Sequence, residues 1–153
     1  MVTTGYLNAP GETARSFDGT WFRTGDLGLV DEHGLVYLVD RQKDVVISAG
    51  ENISCTEVES AIAASDLFSE VAAFGVPDPR LGERLVVAVT PRTGQTALTA
   101  DSVRDIARQS MPEFKIPREV IMDMSPIPRN ATGKMLKREL RRMYDERNRQ
   151  GPQ

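Results

Sequence analysis

The sequence predicts an α+β fold: a small mixed sheet with packed helices, preceded by a β-hairpin. Three observations carry that prediction. After residue 44 the periodicity runs strand, helix, strand, strand, helix, strand, loop, helix. Leu85-Val86-Val87-Ala88-Val89 is apolar at every position, as a central strand covered on both sides requires. Ser54-Cys55-Thr56-Glu57 reads as a capping box, and Val58, Ala61 and Ile62 follow it on one helical face.

The elements follow in order. Residues 1–19 contain Gly5, Pro10, Gly11 and Gly19 and read as loop with one short helical turn. Residues 21–24 and 27–30 are strand-like, Asp31-Glu32-His33-Gly34 is a turn, and 35–39 returns as a second strand. Asp40-Arg41-Gln42-Lys43-Asp44 is too polar for a core and reads as an exposed junction. Next come a strand at 45–48, a turn at 49–52 and the capped helix, ending near Ser65. Residues 70–76 and 84–90 are apolar strands. A helix opens at Thr99 or Asp101, turns Val103, Ile106 and Ala107 inward, and stops before Pro112. Residues 119–124 form a strand and 126–133 an extended loop. A last helix from 135 to about 147 buries Leu136, Leu140, Met143 and Tyr144. This reading divides the chain into 1–40, 41–147 and a disordered tail at 148–153.

Composition narrows the function. With 40% hydrophobic and 27% charged residues among 153, a packed core is expected and wholesale disorder is not. A formal charge of −3 argues against nucleic-acid binding. No apolar run is long enough to span a membrane, and no secretion signal opens the chain. The single cysteine, Cys55, cannot form an internal disulfide or a zinc site, which fits a reducing cytoplasm. His33 is the one histidine and sits in a turn, so no metal centre is expected. Chemistry must rest on Asp, Lys, Arg and backbone groups.

Three segments have few structural excuses. Thr24-Gly25-Asp26 is either a plain turn or a carboxylate held to accept two sugar hydroxyls. Arg41 and Lys43 are either charges that protect a sheet edge or contacts to an anion beside a flexible backbone. Pro128-Arg129-Asn130-Ala131-Thr132-Gly133-Lys134 makes an irregular loop, with Lys134 expected at the first turn of a helix. A cation there meets the positive end of the macrodipole, a misfit of about 0.3–1 kcal/mol that points to function. The segment is not a Walker loop, because Pro128 and Met135 occupy positions where that motif needs Gly and Ser or Thr. From Lys134 to Gln153 there are seven basic and three acidic residues, either a solvated helix face or an approach to an anionic ligand.

Taken together, the segments are more specific. Trp21-Phe22-Arg23-Thr24-Gly25-Asp26-Leu27-Gly28, Asp40-Arg41-Gln42-Lys43-Asp44, Ser48-Ala49-Gly50-Glu51-Asn52-Ile53, Glu57-Val58-Glu59 and Pro128 through Lys134 occur in that order. The series closely resembles the C-terminal part of adenylate-forming enzymes, and its Gly50-Glu51-Asn52-Ile53 wording is most similar to the acyl-CoA synthetase branch.

The resemblance implies a reaction in which ATP and a carboxylic acid give an acyl-adenylate, which the CoA thiol then converts to a thioester. It implies that Asp26 binds the ribose hydroxyls and that Arg41 lies near ribose and phosphate. Lys43 becomes the hinge of a mobile lid, and Lys134 the lysine that enters the site for adenylation. Ser48, Ala49, Gly50 and Glu51 line the CoA pantetheine channel, with Gly50 allowing close backbone approach. Mg2+ is expected mainly through the large N-terminal domain, whose phosphate loop has no counterpart here. By the same resemblance, residues 1–40 are the last strip of that domain, and the chain is a fragment that does not turn over alone. Two other readings stay open: a freestanding binding or regulatory module, and an adenylating domain that serves a carrier-protein thiol.

Overall fold

The computed structural model describes residues 3–95, 97–122, 124 and 126–149. They form two compact units that divide between Lys43 and Asp44.

In the first unit, helix α1 (Pro10–Ser16) starts with proline at its first position, where no amide donor is lost. Two-residue strands β1 (Phe17–Asp18) and β2 (Trp21–Phe22) pair, and the Phe17 and Phe22 rings sit 5.2 Å apart. Strands β3 (Asp26–Val30) and β4 (Val36–Arg41) make the expected hairpin. Its turn is held by Asp31, whose Oδ1 accepts the His33 and Leu35 amides, each at 2.9 Å. Those amides, Leu35 foremost, hold the Asp31 carboxyl below its usual range. Strand β4 runs through Asp40 and Arg41, so the charged stretch is partly strand. Its pairing to β3 makes Arg41 part of the first unit rather than the start of the second.

The second unit is a five-stranded mixed sheet with helices on both faces. Strands β5 (Val45–Ser48) and β6 (Glu51–Ser54) form a hairpin. Strands β7 (Phe68–Asp78) and β8 (Gly82–Pro91) form a longer one, and β9 (Glu119–Met122) runs parallel to β8 along its other edge. On one face Leu85, Val87 and Val89 pack against helices α2 (Cys55–Ala63) and α3 (Ala100–Arg108). On the other, Val86 and Ala88 meet Leu140 and Tyr144 of helix α4 (Lys137–Arg149). The period-two alternation along β8 thus buries every residue from Leu85 to Val89, as its composition predicts. Both N-caps form, the first without the full expected box: Ser54 Oγ accepts the Glu57 amide at 3.2 Å while the Glu57 carboxylate accepts from Lys115 Nζ at 2.6 and 2.7 Å, and Thr99 makes a full capping box with Ser102.

Four expectations change. Residues 51–54 are a strand, because the turn is only Ala49-Gly50, with φ of +52° and +86°. Helix α4 begins at Lys137 rather than 135, because the Leu136 amide goes to the Pro128 carbonyl at 2.8 Å, and the Leu136 carbonyl accepts the first helical bonds. Leu136, expected to be buried, therefore remains exposed. Asn148 and Arg149 belong to α4, while residues 150–153 of the expected tail lie outside the described residues.

Candidate functional site

Asp26 and Arg41 come together. They oppose each other in the β3–β4 register, and Arg41 Nε lies 3.0 Å from Asp26 Oδ1. A kink aims the carboxylate: Gly25 has φ +73°, its carbonyl accepts the Gln42 amide at 2.8 Å, and Thr24 Oγ1 accepts the Asp26 amide at 3.1 Å. The carboxylate is three-quarters buried, yet the ion pair engages one of its two oxygens and leaves capacity to accept further donors. Lys43 sits in a single 3₁₀ turn (Gln42–Asp44) at the division between the units.

In the second unit, Ser48, Ala49 and Glu51 share the lining of a groove of about 590 Å3 with Arg104, Arg108, Arg118 and Glu113. Arg104 ties α3 to the segment before β9, donating to the Pro117 carbonyl at 3.2 Å and the Arg118 carbonyl at 3.1 Å. The groove therefore joins a hairpin edge to three arginines, of which Arg104 pairs with Asp101 and Arg108 with Asp105, each at 2.8 Å. Gly50 occupies the hairpin tip. A β-carbon there would meet nothing within 4 Å, so the turn's positive φ, rather than a close approach within this chain, is what requires glycine.

Lys134 lies on a loop and not in a helix, so the macrodipole misfit expected of it does not arise. The loop folds back on itself through an Arg129–Met135 bridge and the Asn130 amide, which donates to the Lys134 carbonyl at 2.9 Å. Asn130 Oδ1 accepts three donors: the Thr132 amide at 3.0 Å, the Thr132 hydroxyl at 2.8 Å and the Lys134 amide at 2.8 Å. This fixes the Lys134 backbone while its side chain stays exposed, without an ion-pair partner among the described residues. Sequence reasoning missed the braces. Arg129 reaches Glu70 on β7, and Lys137 reaches Glu59 on α2, pairings between distant segments that carry no local signal. Of the basic residues at the chain's end, open in sequence to either a solvated face or an anionic ligand, Arg141 donates to the Gly75 carbonyl and Arg142 pairs with Glu139 and Glu146.

A family model described as the AMP-binding enzyme C-terminal domain matches residues 57–134, about half of the chain and ending on the exposed lysine. The chain belongs to this family. Among curated members, a long-chain-fatty-acid–CoA ligase, FadD13 of Mycobacterium tuberculosis, is 40% identical over 91% of this chain and 27% of its own length. A 2-succinylbenzoate–CoA ligase of Geobacillus is 32% identical over 93% of the chain and 28% of its own length. Among solved structures, ATP-bound MatB from Rhodopseudomonas palustris aligns with TM-score 0.81 and 35% identity, over 92% of this chain and 28% of that one. The chain thus spans little more than a quarter of the relatives it matches. The fold expectation of the family holds: α+β, with small sheets and packed helices.

Among the described residues no three His, Cys, Asp or Glu side chains cluster so as to hold a metal ion. Among the same residues no helix is long and apolar enough to cross a membrane.

Proposed function

We propose that the chain is the C-terminal part of an AMP-forming acid–CoA ligase, with residues 1–43 as the last strip of a large nucleotide-binding domain and 44–147 as its mobile lid. In the first half-reaction a carboxylate oxygen attacks the α-phosphorus of ATP, and pyrophosphate leaves. In the second the CoA sulfur attacks the acyl carbon, AMP leaves, and a thioester remains.

The observation that carries this reading is Lys134, braced through its backbone by Asn130 and exposed through its side chain, at the end of the family match. Two anions approach in adenylation, and charge is shared between them in the transition state. A fixed ammonium offsets that repulsion by about 3–4 kcal/mol in a site closed to water. Left in place, the same group obstructs CoA, so the lid turns about Lys43 between the two steps. Asp26 accepts the ribose hydroxyls, and Arg41 holds that carboxylate in place near the ribose and phosphate. Ser48, Ala49, Gly50 and Glu51 guide the pantetheine arm, and the arginines in the groove that Ser48, Ala49 and Glu51 help to line support an acceptor that carries phosphates.

On this reading Mg2+ accompanies the ATP phosphates and is held mainly by the large domain. The exposed apolar side chains of the first hairpin, Leu29, Val30, Val36 and Leu38, support a larger body around residues 3–43. The single cysteine supports a cytoplasmic setting. CoA, rather than a carrier-protein thiol, is favoured because FadD13 and the Geobacillus relative are both named as CoA ligases.

The test is complementation. The large domain of an acid–CoA ligase relative, expressed without its own C-terminal part, is mixed with this chain, ATP, Mg2+ and the acid. Restored pyrophosphate release is the expected result; no change over the large domain alone contradicts the proposal.

A further inference from the structure

The loop bearing Lys134 is fastened in two ways. Its base is apolar: Ile127 is buried against Leu140 and Tyr144, and Met135 packs against the same cluster. Its tip is polar and hangs on one carboxylate. Glu70 Oε2 accepts the Ile127 amide at 3.3 Å, while Oε1 accepts from Arg129 Nη2 at 3.0 Å and Nε at 3.2 Å. Arg129 Nη1 then donates to the Gly133 carbonyl at 2.9 Å, the peptide group joining Gly133 to Lys134. Glu70 is rooted in β7, which pairs with β8 along nearly its whole length. A continuous polar chain therefore runs from the rigid sheet to the backbone of the lysine.

We infer that Glu70, acting through Arg129, is a positioning residue that sets where Lys134 delivers its ammonium. The inference rests on the adenylation role proposed for Lys134. The apolar base keeps the loop attached when the strap is cut, so the loss falls on the direction of the lysine and not on the fold. Placement of a charged group governs its effect on a transition state steeply: an error of about 1 Å can cost a hundredfold in rate. Planarity matters too. A guanidinium grips the carboxylate with two nitrogens and the carbonyl with the third, whereas a lysine ammonium cannot span all three contacts.

The experiment uses the complete ligase carrying this chain, with adenylation read as ATP–pyrophosphate exchange and thioester formation read from supplied acyl-adenylate and CoA. Glu70→Gln and Arg129→Lys are each expected to slow adenylation by roughly ten- to a hundredfold. Thioester formation stays within about twofold, which also reports that the variants fold. In a Lys134→Ala background, Glu70→Gln adds less than about twofold, because the group it positions is gone. Equal losses in both half-reactions, or an additive loss without Lys134, overturn the inference. If Lys134→Ala alone spares adenylation, the underlying reading fails; if it impairs adenylation while both strap variants do not, the inference alone fails.

Discussion

Lys137 and Glu59 form an ion pair from which water is mostly excluded: Nζ lies 2.9 Å from Oε1, with the side chains 12% and 20% exposed. The same Glu59 oxygen accepts the Ala73 amide at 2.8 Å, so one carboxylate on α2 joins α4 to β7. Burial opposes the ammonium, but the Cys55 sulfur and the Glu59 carboxylate outweigh it and hold Lys137 above the usual lysine range.

Removing one partner of such a pair leaves a charge without compensation, and Lys137→Met is expected to destabilise the chain by about 3 kcal/mol in urea unfolding. The pH dependence has a definite sign. Because the folded value lies above the unfolded 10.5, the pair's contribution is complete below that pH and is lost as pH rises through the folded value. Unfolding midpoints measured from pH 7 to 11 should therefore show a smaller alkaline decline in Lys137→Met than in the parent chain. An equal decline in both rules the pair out as its source.

The β5–β6 turn makes a separate claim. Ala49 and Gly50 both hold positive φ, +52° and +86°, as a two-residue hairpin of the mirror-image type demands. Gly50→Ala is expected to cost about 1–2 kcal/mol through backbone strain alone, since there is open space for the methyl group. Ala49→Asn relieves part of the strain already present and should stabilise by about 0.5–1 kcal/mol. Thermal melts of the two variants check both signs.

That turn also explains what the sequence could not reveal. Ala-Gly lacks the Asn-Gly signature of a tight hairpin, and Glu51-Asn52 look like turn residues, so strand β6 was invisible locally. The central strand, by contrast, was legible from Leu85–Val89 because burial on both faces removes every polar residue. The pairing of Asp26 with Arg41 was implicit in the hairpin but required its register, which a bulge shifts between Leu27 and Gly28. In sequence alone Lys134 reads as a helix misfit. Its actual setting depends on Pro128 capturing the Leu136 amide and on Glu70 capturing Arg129, contacts decided by folding and not by neighbours in sequence.

Asp26 should matter to nucleotide binding. Hydrogen bonds to a charged acceptor contribute about 1.5–3 kcal/mol. In the complete ligase, Asp26→Ala is accordingly expected to raise the KM for ATP by about ten- to a hundredfold. Arg41→Ala should have a smaller effect of the same kind, because it removes the group that orients the carboxylate. An unchanged KM in Asp26→Ala would exclude the ribose role.

Lys43 tests the hinge. Proline fixes φ near −65°, a value that a 3₁₀ turn accommodates, so Lys43→Pro should fold while restricting rotation between the units. One half-reaction should slow at least about tenfold, and the other should be spared. Equal rates of both half-reactions in variant and parent would show that no rotation about this residue is needed.

The most direct test of the account concerns Lys134 itself. Its substitution by alanine in the complete ligase, with the half-reactions measured separately, should reduce acyl-adenylate formation by about a hundred- to a thousandfold. Conversion of supplied acyl-adenylate to the thioester should remain within about twofold. Equal losses in the two steps, or adenylation at the parent rate, would contradict the claim that this lysine is delivered for the first step and withdrawn for the second.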